Sequence, residues 1–173
     1  MKKSCLLFAL LMATIFCQAQ QGVALYLSFQ GNKTVTDRTL SNNSGGVGLG
    51  IQALLNTKTA FKPMLEINGD YFGGTKELYM TTDGKIIKSK NEVVGIYAGP
   101  SFQPAGRLFF ATTAGASFYN NKTHFGVRPS AGLFLSKNKK WLAKASYNLV
   151  FQRDDMGNEK FGYAGFGLAG NLF

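Results

Sequence analysis

The chain has 173 residues, with 19 Lys and Arg against 9 Asp and Glu, a formal charge of +10 and a single histidine. Glycine fills 21 positions, well above a usual share of roughly 7%. No stretch shows helical periodicity, low complexity or linker composition, so one domain is expected and a coiled coil or helix bundle is excluded.

Residues 1–19 read as a secretory signal. Lys2 and Lys3 precede an apolar stretch from Cys5 to Cys17, shorter than the roughly 20 residues that span a bilayer as a helix. Cys17 and Ala19 take the small-residue positions before a cut, leaving residues 20–173 as the mature domain. A lipoprotein signal would place a small residue before Cys17, where Phe16 stands. Both cysteines leave with the leader, so the mature domain has no disulfide and no thiolate metal site. Loss of Lys2 and Lys3 takes the formal charge from +10 to +8. Such a balance raises the question of nucleic acid, but the lysines are scattered through predicted loops, as in Lys85, Lys88 and Lys90 or Lys137, Lys139 and Lys140. With no face that concentrates them, nucleic acid is not an expected partner; lipopolysaccharide or another polyanion suits such loops better, and a plain solvated surface better still.

The mature domain then divides into segments of extended pattern at 22–31, 44–56, 63–72, 92–102, 107–119, 124–136, 141–152 and 160–173. Glycine within such segments suits curved or crowded strands. The connections alternate between long (32–43, 73–91, 120–123 with its flanks, 153–159) and short (57–62, 103–106, 137–140). Within the second long connection, Asp83-Gly84 is a strong two-residue turn. Its flanks, 77–82 and 85–88, alternate well enough to prolong the neighbouring strands as a protruding hairpin whose edge offers a surface to an extracellular protein partner.

Successive side chains of a strand point to opposite faces. One face gathers Leu25, Leu27 and Phe29, then Leu49, Ile51 and Leu55, then Leu65 and Ile67, and continues through Ile96, Phe110, Leu133, Leu149, Phe166 and Leu168 without a charge. The other carries Gln52, Glu66, Asn68, Asp70, Arg107, Ser117, Arg128, Ser130, Lys144, Ser146, Asn148 and Gln152 among many glycines. In the last strand Phe161 and Tyr163 fall on the opposite phase to Phe166 and Leu168. A soluble barrel of the lipocalin kind, turned apolar side in, shows the same alternation. Its exterior, however, would want roughly 25–35% charged residues, and the polar face here has few. The fold expected is all-β: an eight-stranded, antiparallel, up-and-down transmembrane barrel of the Gram-negative outer membrane, long connections outside and short ones in the periplasm.

On these features, and on a chain ending in Phe173, the sequence resembles the small outer-membrane β-barrel superfamily that includes the OmpX and OmpA transmembrane barrels, and especially the PorT-like outer membrane β-barrel domain proteins. The resemblance implies that Phe173 is an assembly signal read by the barrel-insertion machinery, with Asn171 standing where the family has a hydrophobic residue.

Chemistry is sparse. An eight-stranded barrel is only wide enough for side chains to fill, so Glu66, Asp70, Arg107, Arg128 and Lys144 are expected to share the lumen as a salt-bridge network. The surplus cation would find a carbonyl, a water, or a tyrosine such as Tyr26 or Tyr97. A gated ion path or a binding cluster formed by the same groups is the competing reading. His124 has Thr123 beside it and Ser117 or Ser130 as candidates near its level, but the segment Lys122-Thr-His-Phe-Gly carries no motif of the enzymatic barrels, so it reads as a solvated surface residue and no enzyme activity, cofactor or metal is expected. Trp141, Tyr147 and Tyr163 are candidates for interfacial aromatic belts. The functional reading is a structural or surface-interaction protein, with a narrow transport pore second.

Overall fold

Alternating side chains commit nearly every long segment to extended pleats, and a sheet of such pleats keeps two unpaired edges unless it closes on itself. The computed structural model describes residues 22–36, 45–73, 77–80, 86–88, 92–104, 106–119, 122–151 and 160–172, and in it the sheet is closed. In chain order the strands are β1 (Val23–Thr36), β2 (Gly45–Leu55), β3 (Phe61–Phe72), β4 (Glu77–Met80), β5 (Ile86–Lys88), β6 (Glu92–Phe102), β7 (Leu108–Tyr119), β8 (Lys122–Phe134), β9 (Trp141–Phe151) and β10 (Lys160–Asn171). Eight of them form an antiparallel barrel in the order β1-β10-β9-β8-β7-β6-β3-β2, while β4 and β5 make a separate two-stranded sheet. This is the expected eight-stranded barrel. The predicted leader, the Asp83-Gly84 turn, Gln152 and Phe173 lie outside the described residues.

The three short connections lie at the end where β1 begins and β10 finishes, as the pairs Val23 with Leu55, Phe61 with Phe102, Leu108 with Leu133 and Trp141 with Gly170 fix. Two tight features build this end. Gly106, at φ 97°, takes the left-handed conformation that the bend before β7 requires and that glycine adopts without penalty. Lys139, at φ 55°, does the same without being glycine. It is tied at both ends: its carbonyl accepts from the Tyr26 hydroxyl at 2.9 Å and its Nζ donates to Gln103 Oε1 at 2.9 Å. The long connections lie at the opposite end, and β4 pairs with β5 there through Glu77–Lys88, Tyr79–Ile87 and Met80–Ile86.

β1 extends beyond its predicted end at residue 31. Asn32, Lys33 and Thr34 read as loop by composition, but each finds a partner on β10, in Gly165, Ala164 and Tyr163. Closure rather than propensity sets that boundary. The outer wall is apolar, with Phe29, Leu49, Phe61, Phe125 and Phe166 more than half exposed. Among the strand residues with described side chains the only charges on this face of the barrel are Lys33 and Glu92, both at the long-connection end. At the bilayer midplane one such cation would cost about 2–4 kcal/mol.

β10 keeps a single phase. Phe161, Tyr163 and Ala169 are buried inside while Phe166 and Leu168 face outward, so the expected break in alternation is a lumen that itself turns aromatic at one end. Tyr163 therefore leaves the predicted belts. Trp141 keeps its outward position at the short-connection end, its ring lying over Gly170, where a methyl group would come within 3.1 Å of it.

Candidate functional site

The lumen is built in three levels from the inward positions of all eight strands. At the short-connection end, Tyr26, Leu54, Met64, Phe109, Phe134 and Leu142 form an apolar cluster, with Phe109 edge-on to Phe134 at 6.2 Å. At the long-connection end, Phe72, Val93, Val150, Phe161 and Tyr163 form a second one, with Phe72 edge-on to Tyr163 at 5.0 Å and to Phe161 at 5.8 Å. Such edge-to-face pairs add about 0.5–1.5 kcal/mol to the burial of their area.

Between these plugs lies the charged level. Arg128, 1% exposed, stands at its centre on β8. Its Nε is 3.3 Å from Glu66 Oε1 and its Nη1 3.8 Å from Asp70 Oδ2, and its Nη2 donates to Gln30 Oε1 at 2.8 Å and Ser146 Oγ at 3.3 Å. Lys144 Nζ donates to the same Glu66 oxygen at 2.8 Å. Asp70 collects the neutral donors: Gln30 Nε2 at 2.7 Å and Asn32 Nδ2 at 2.6 Å on Oδ1, then Tyr163 OH at 2.6 Å and the Asn68 amide on Oδ2.

The chain of donors continues from there. Asn148 gives its amide to the Tyr163 oxygen and accepts from Tyr97 OH at 3.2 Å. Because a phenol has one proton to give, Ser117 is then the donor in its contact with Tyr97. Space for these large groups comes from inward glycines: a methyl at position 48 would collide with Asp70 Oδ1, and one at 95 or 126 with the Tyr97 ring.

Four of the five predicted lumen charges are thus brought together, two of each sign. Arg107 is not among them. It precedes the first paired residue of β7, where no wall encloses a side chain, and it is exposed; only its carbonyl is engaged, accepting from Phe134 N at 2.7 Å. With it goes the expected surplus cation, so neither Tyr26 nor Tyr97 is called on to hold one. Unpaired buried charges cost about 3–5 kcal/mol each when a partner is removed, and a two-by-two cluster avoids that cost. His124 also differs from expectation: it is an inward, buried residue of β8, opposite Ser117 across β7. The hydroxyl of Ser117 is engaged with Tyr97. Among the described residues no group of three His, Cys, Asp or Glu side chains could hold a metal ion.

Gln30, Asn32 and Tyr163 are the members that sequence reasoning missed. Gln30 and Asn32 follow Tyr26 and Ser28 on the even, inward phase of β1, which was the available signal. Tyr163 was hidden by its aromatic character, which suits a belt as well as a plug.

Among solved structures, the chain is similar to the outer membrane protein Ail of Yersinia pestis in a phospholipid bilayer nanodisc, at 13% identity and a TM-score of 0.56, covering 86% of this chain and 99% of that one. It is similar to Neisserial surface protein A at 10% identity and a TM-score of 0.54, covering 87% and 97%. A de novo designed transmembrane β-barrel matches at 12% identity and a TM-score of 0.50, covering 87% and 95%. No family model matches the chain, and no curated protein sequence does. At these identities the likeness is one of fold: a closed eight-stranded barrel of the small outer-membrane type.

Proposed function

We propose that this chain is an integral outer-membrane protein of the small barrel superfamily, OmpX-, OmpA- or PorT-like, that acts as a rigid, non-enzymatic platform presenting its long connections at the cell surface. The observation that carries this reading is the sealed lumen. A balanced cluster of four buried charges lies between two apolar plugs, inside a wall whose outer face is apolar. A transport pore needs a wetted path, and with Phe72, Phe161 and Tyr163 at one end and Phe109, Phe134 and Leu142 at the other the four charges are at most 4% exposed. The network holds the wall closed instead.

Export places the amino-terminal end of β1 in the periplasm, so the short connections face inward and the β4–β5 hairpin faces out, where its edge suits an added strand from an extracellular protein. Lipopolysaccharide is the partner proposed for cations at that outer end, such as Lys33 and Lys122. Lys137, Lys139 and Lys140 leave this set, because their turn lies at the opposite end of the barrel. That a small barrel can offer polyanion contacts finds support in Ail, which has been crystallised with the heparin analogue sucrose octasulfate. Insertion through Phe173 by the barrel-insertion machinery completes the reading.

Fractionation of expressing cells, followed by gel electrophoresis of the outer-membrane fraction with and without boiling, tests it. The expected result is a faster band in the unheated sample from that fraction. A soluble periplasmic protein whose mobility ignores heating would return the inverted, ligand-binding barrel.

A further inference from the structure

Proline lacks the N–H that a ladder needs and is ordinarily confined to edge strands and bulges, yet Pro63, Pro100 and Pro129 all stand in the outward phase of strands within the closed wall. Pro63 faces Pro100 across β3 and β6, and Pro129 faces Thr112 across β7 and β8. On their other sides the ladders are interrupted: β6 and β7 have no pairs between Ala98–Ala114 and Ser101–Ala111, and β8 and β9 none between Val127–Leu149 and Ser130–Ser146. The side chains at this level of the outer wall are short, as in Thr112, Ala131 and Ala145, while Phe61, Phe102, Phe110 and Tyr147 stand tall around them. The result is an open groove of about 660 Å³ on the outer wall, running across β6 to β9. That volume falls in the range of small-molecule sites, roughly 300–1,000 Å³.

At the foot of the groove the charge is one-sided. Lys58, Arg107, Lys137 and Lys140, all exposed, occupy the three short connections beneath it, with Lys62 and Lys139 partly covered beside them. Residues 56–60, 103–107 and 135–140 contain no Asp or Glu. Among the described residues the acidic ones are Glu66 and Asp70 in the lumen and Glu77 and Glu92 at the far end. Arg107 is three positions from Phe110, about 10 Å along an extended chain; its parity is inward, but it is exposed and precedes the first paired residue of β7, so no wall separates its guanidinium from the rim.

We propose that this groove is a phospholipid site: an acyl chain lies in the trough over Pro129, Ala131 and Ala145, and its anionic phosphate is held at the short-connection end by Arg107 and the lysines of the adjoining turns. It rests on the membrane placement argued above, which puts these turns at the periplasmic leaflet. Arginine suits a phosphate because its planar fork can donate two parallel hydrogen bonds, and cations close to an anionic headgroup each strengthen binding about fivefold. Zwitterionic lipid offers the same chain without the net charge, so the site discriminates by headgroup.

The test is native mass spectrometry of the full-length barrel, purified in detergent and offered equal amounts of phosphatidylglycerol and phosphatidylethanolamine. The unaltered protein should retain phosphatidylglycerol preferentially. Removing Arg107, Lys137 and Lys140 together as glutamines should abolish the preference, at about fivefold per cation. Ala131→Phe, which fills the trough from outside without touching the lumen, should reduce retention of both lipids, whereas Lys33→Gln at the opposite end should change neither.

Equal retention of the two lipids by the unaltered protein overturns the proposal, as does undiminished retention by Ala131→Phe. If Ala131→Phe instead dissolves a dimer present before substitution, the groove seats a second copy and the lipid assignment falls. Each sample is run unheated and heated on a gel: a heat-modifiable barrel without lipid preference sinks this proposal alone, while a soluble protein without the shift sinks the membrane placement with it.

Discussion

The middle of the lumen and its two ends hold the barrel together by opposite chemistry. In the middle, Arg128, Lys144, Glu66 and Asp70 are stabilising only as a set, since each is a large liability without the others. At the ends, Phe72 with Phe161 and Phe109 with Phe134 contribute area and ring contacts that do not depend on any single partner. The contrast teaches that the plugs are what make the charges strong: water kept out at both ends leaves each ion only its neighbours.

Breaking the set should produce the largest effect. Arg128→Met leaves Glu66 with Lys144 alone and Asp70 without a cation, and is expected to cost about 3–5 kcal/mol, read as a lower denaturant midpoint for loss of the heat-modifiable form in detergent. Tyr163→Phe keeps the ring in the plug at the long-connection end but removes the hydroxyl that Asp70 accepts and Asn148 donates to. Leaving such groups unmatched costs about 1–3 kcal/mol, so the same assay should place this variant between Arg128→Met and the unaltered protein. Lys139→Met at the short-connection end loses the bond to Gln103 and a cation 5.2 Å from the Phe134 ring. The cation–π part is worth about 0.5–1 kcal/mol at an exposed site, and the loss should shrink in high salt.

The comparison sharpens further with a paired change. Glu66→Gln alone strands Lys144, whereas Glu66→Gln combined with Lys144→Met removes both members and should recover most of the loss, because replacing a buried pair together is often neutral. A double variant as unstable as the single one would show that the residues act through packing, not charge.

The outer wall was legible because a two-residue period with lipid on one side tolerates few exceptions; Leu27, Ile51, Ile67 and Leu133 could hardly face anywhere else. The interior was less so. Period alone assigns a face, but it does not say that the inward face itself changes from aromatic to charged to aromatic along the axis, which is why Phe161 and Tyr163 resembled a break in phase. The charge cluster was visible in Glu66, Asp70, Arg128 and Lys144, all well inside their strands. Arg107 misled because it keeps the inward parity of β7 while lying one residue before the ladder begins, and His124 because a residue at the start of a strand resembles loop until the neighbouring strand covers it. The prolines were present in the sequence without announcing the groove, which arises only where the fold brings Pro100 and Pro129 level with short neighbours such as Thr112, Ala131 and Ala145.

The central claim is that the lumen is sealed, and conductance across a planar bilayer by the full-length protein, taken from a sample with a confirmed heat-modifiable band, tests it most directly. A sealed lumen leaves the membrane silent, with no unitary current steps for the unaltered barrel. Steady steps that change size or ion preference on Glu66→Gln or Arg128→Gln would contradict it and make the same charges the lining of a pore.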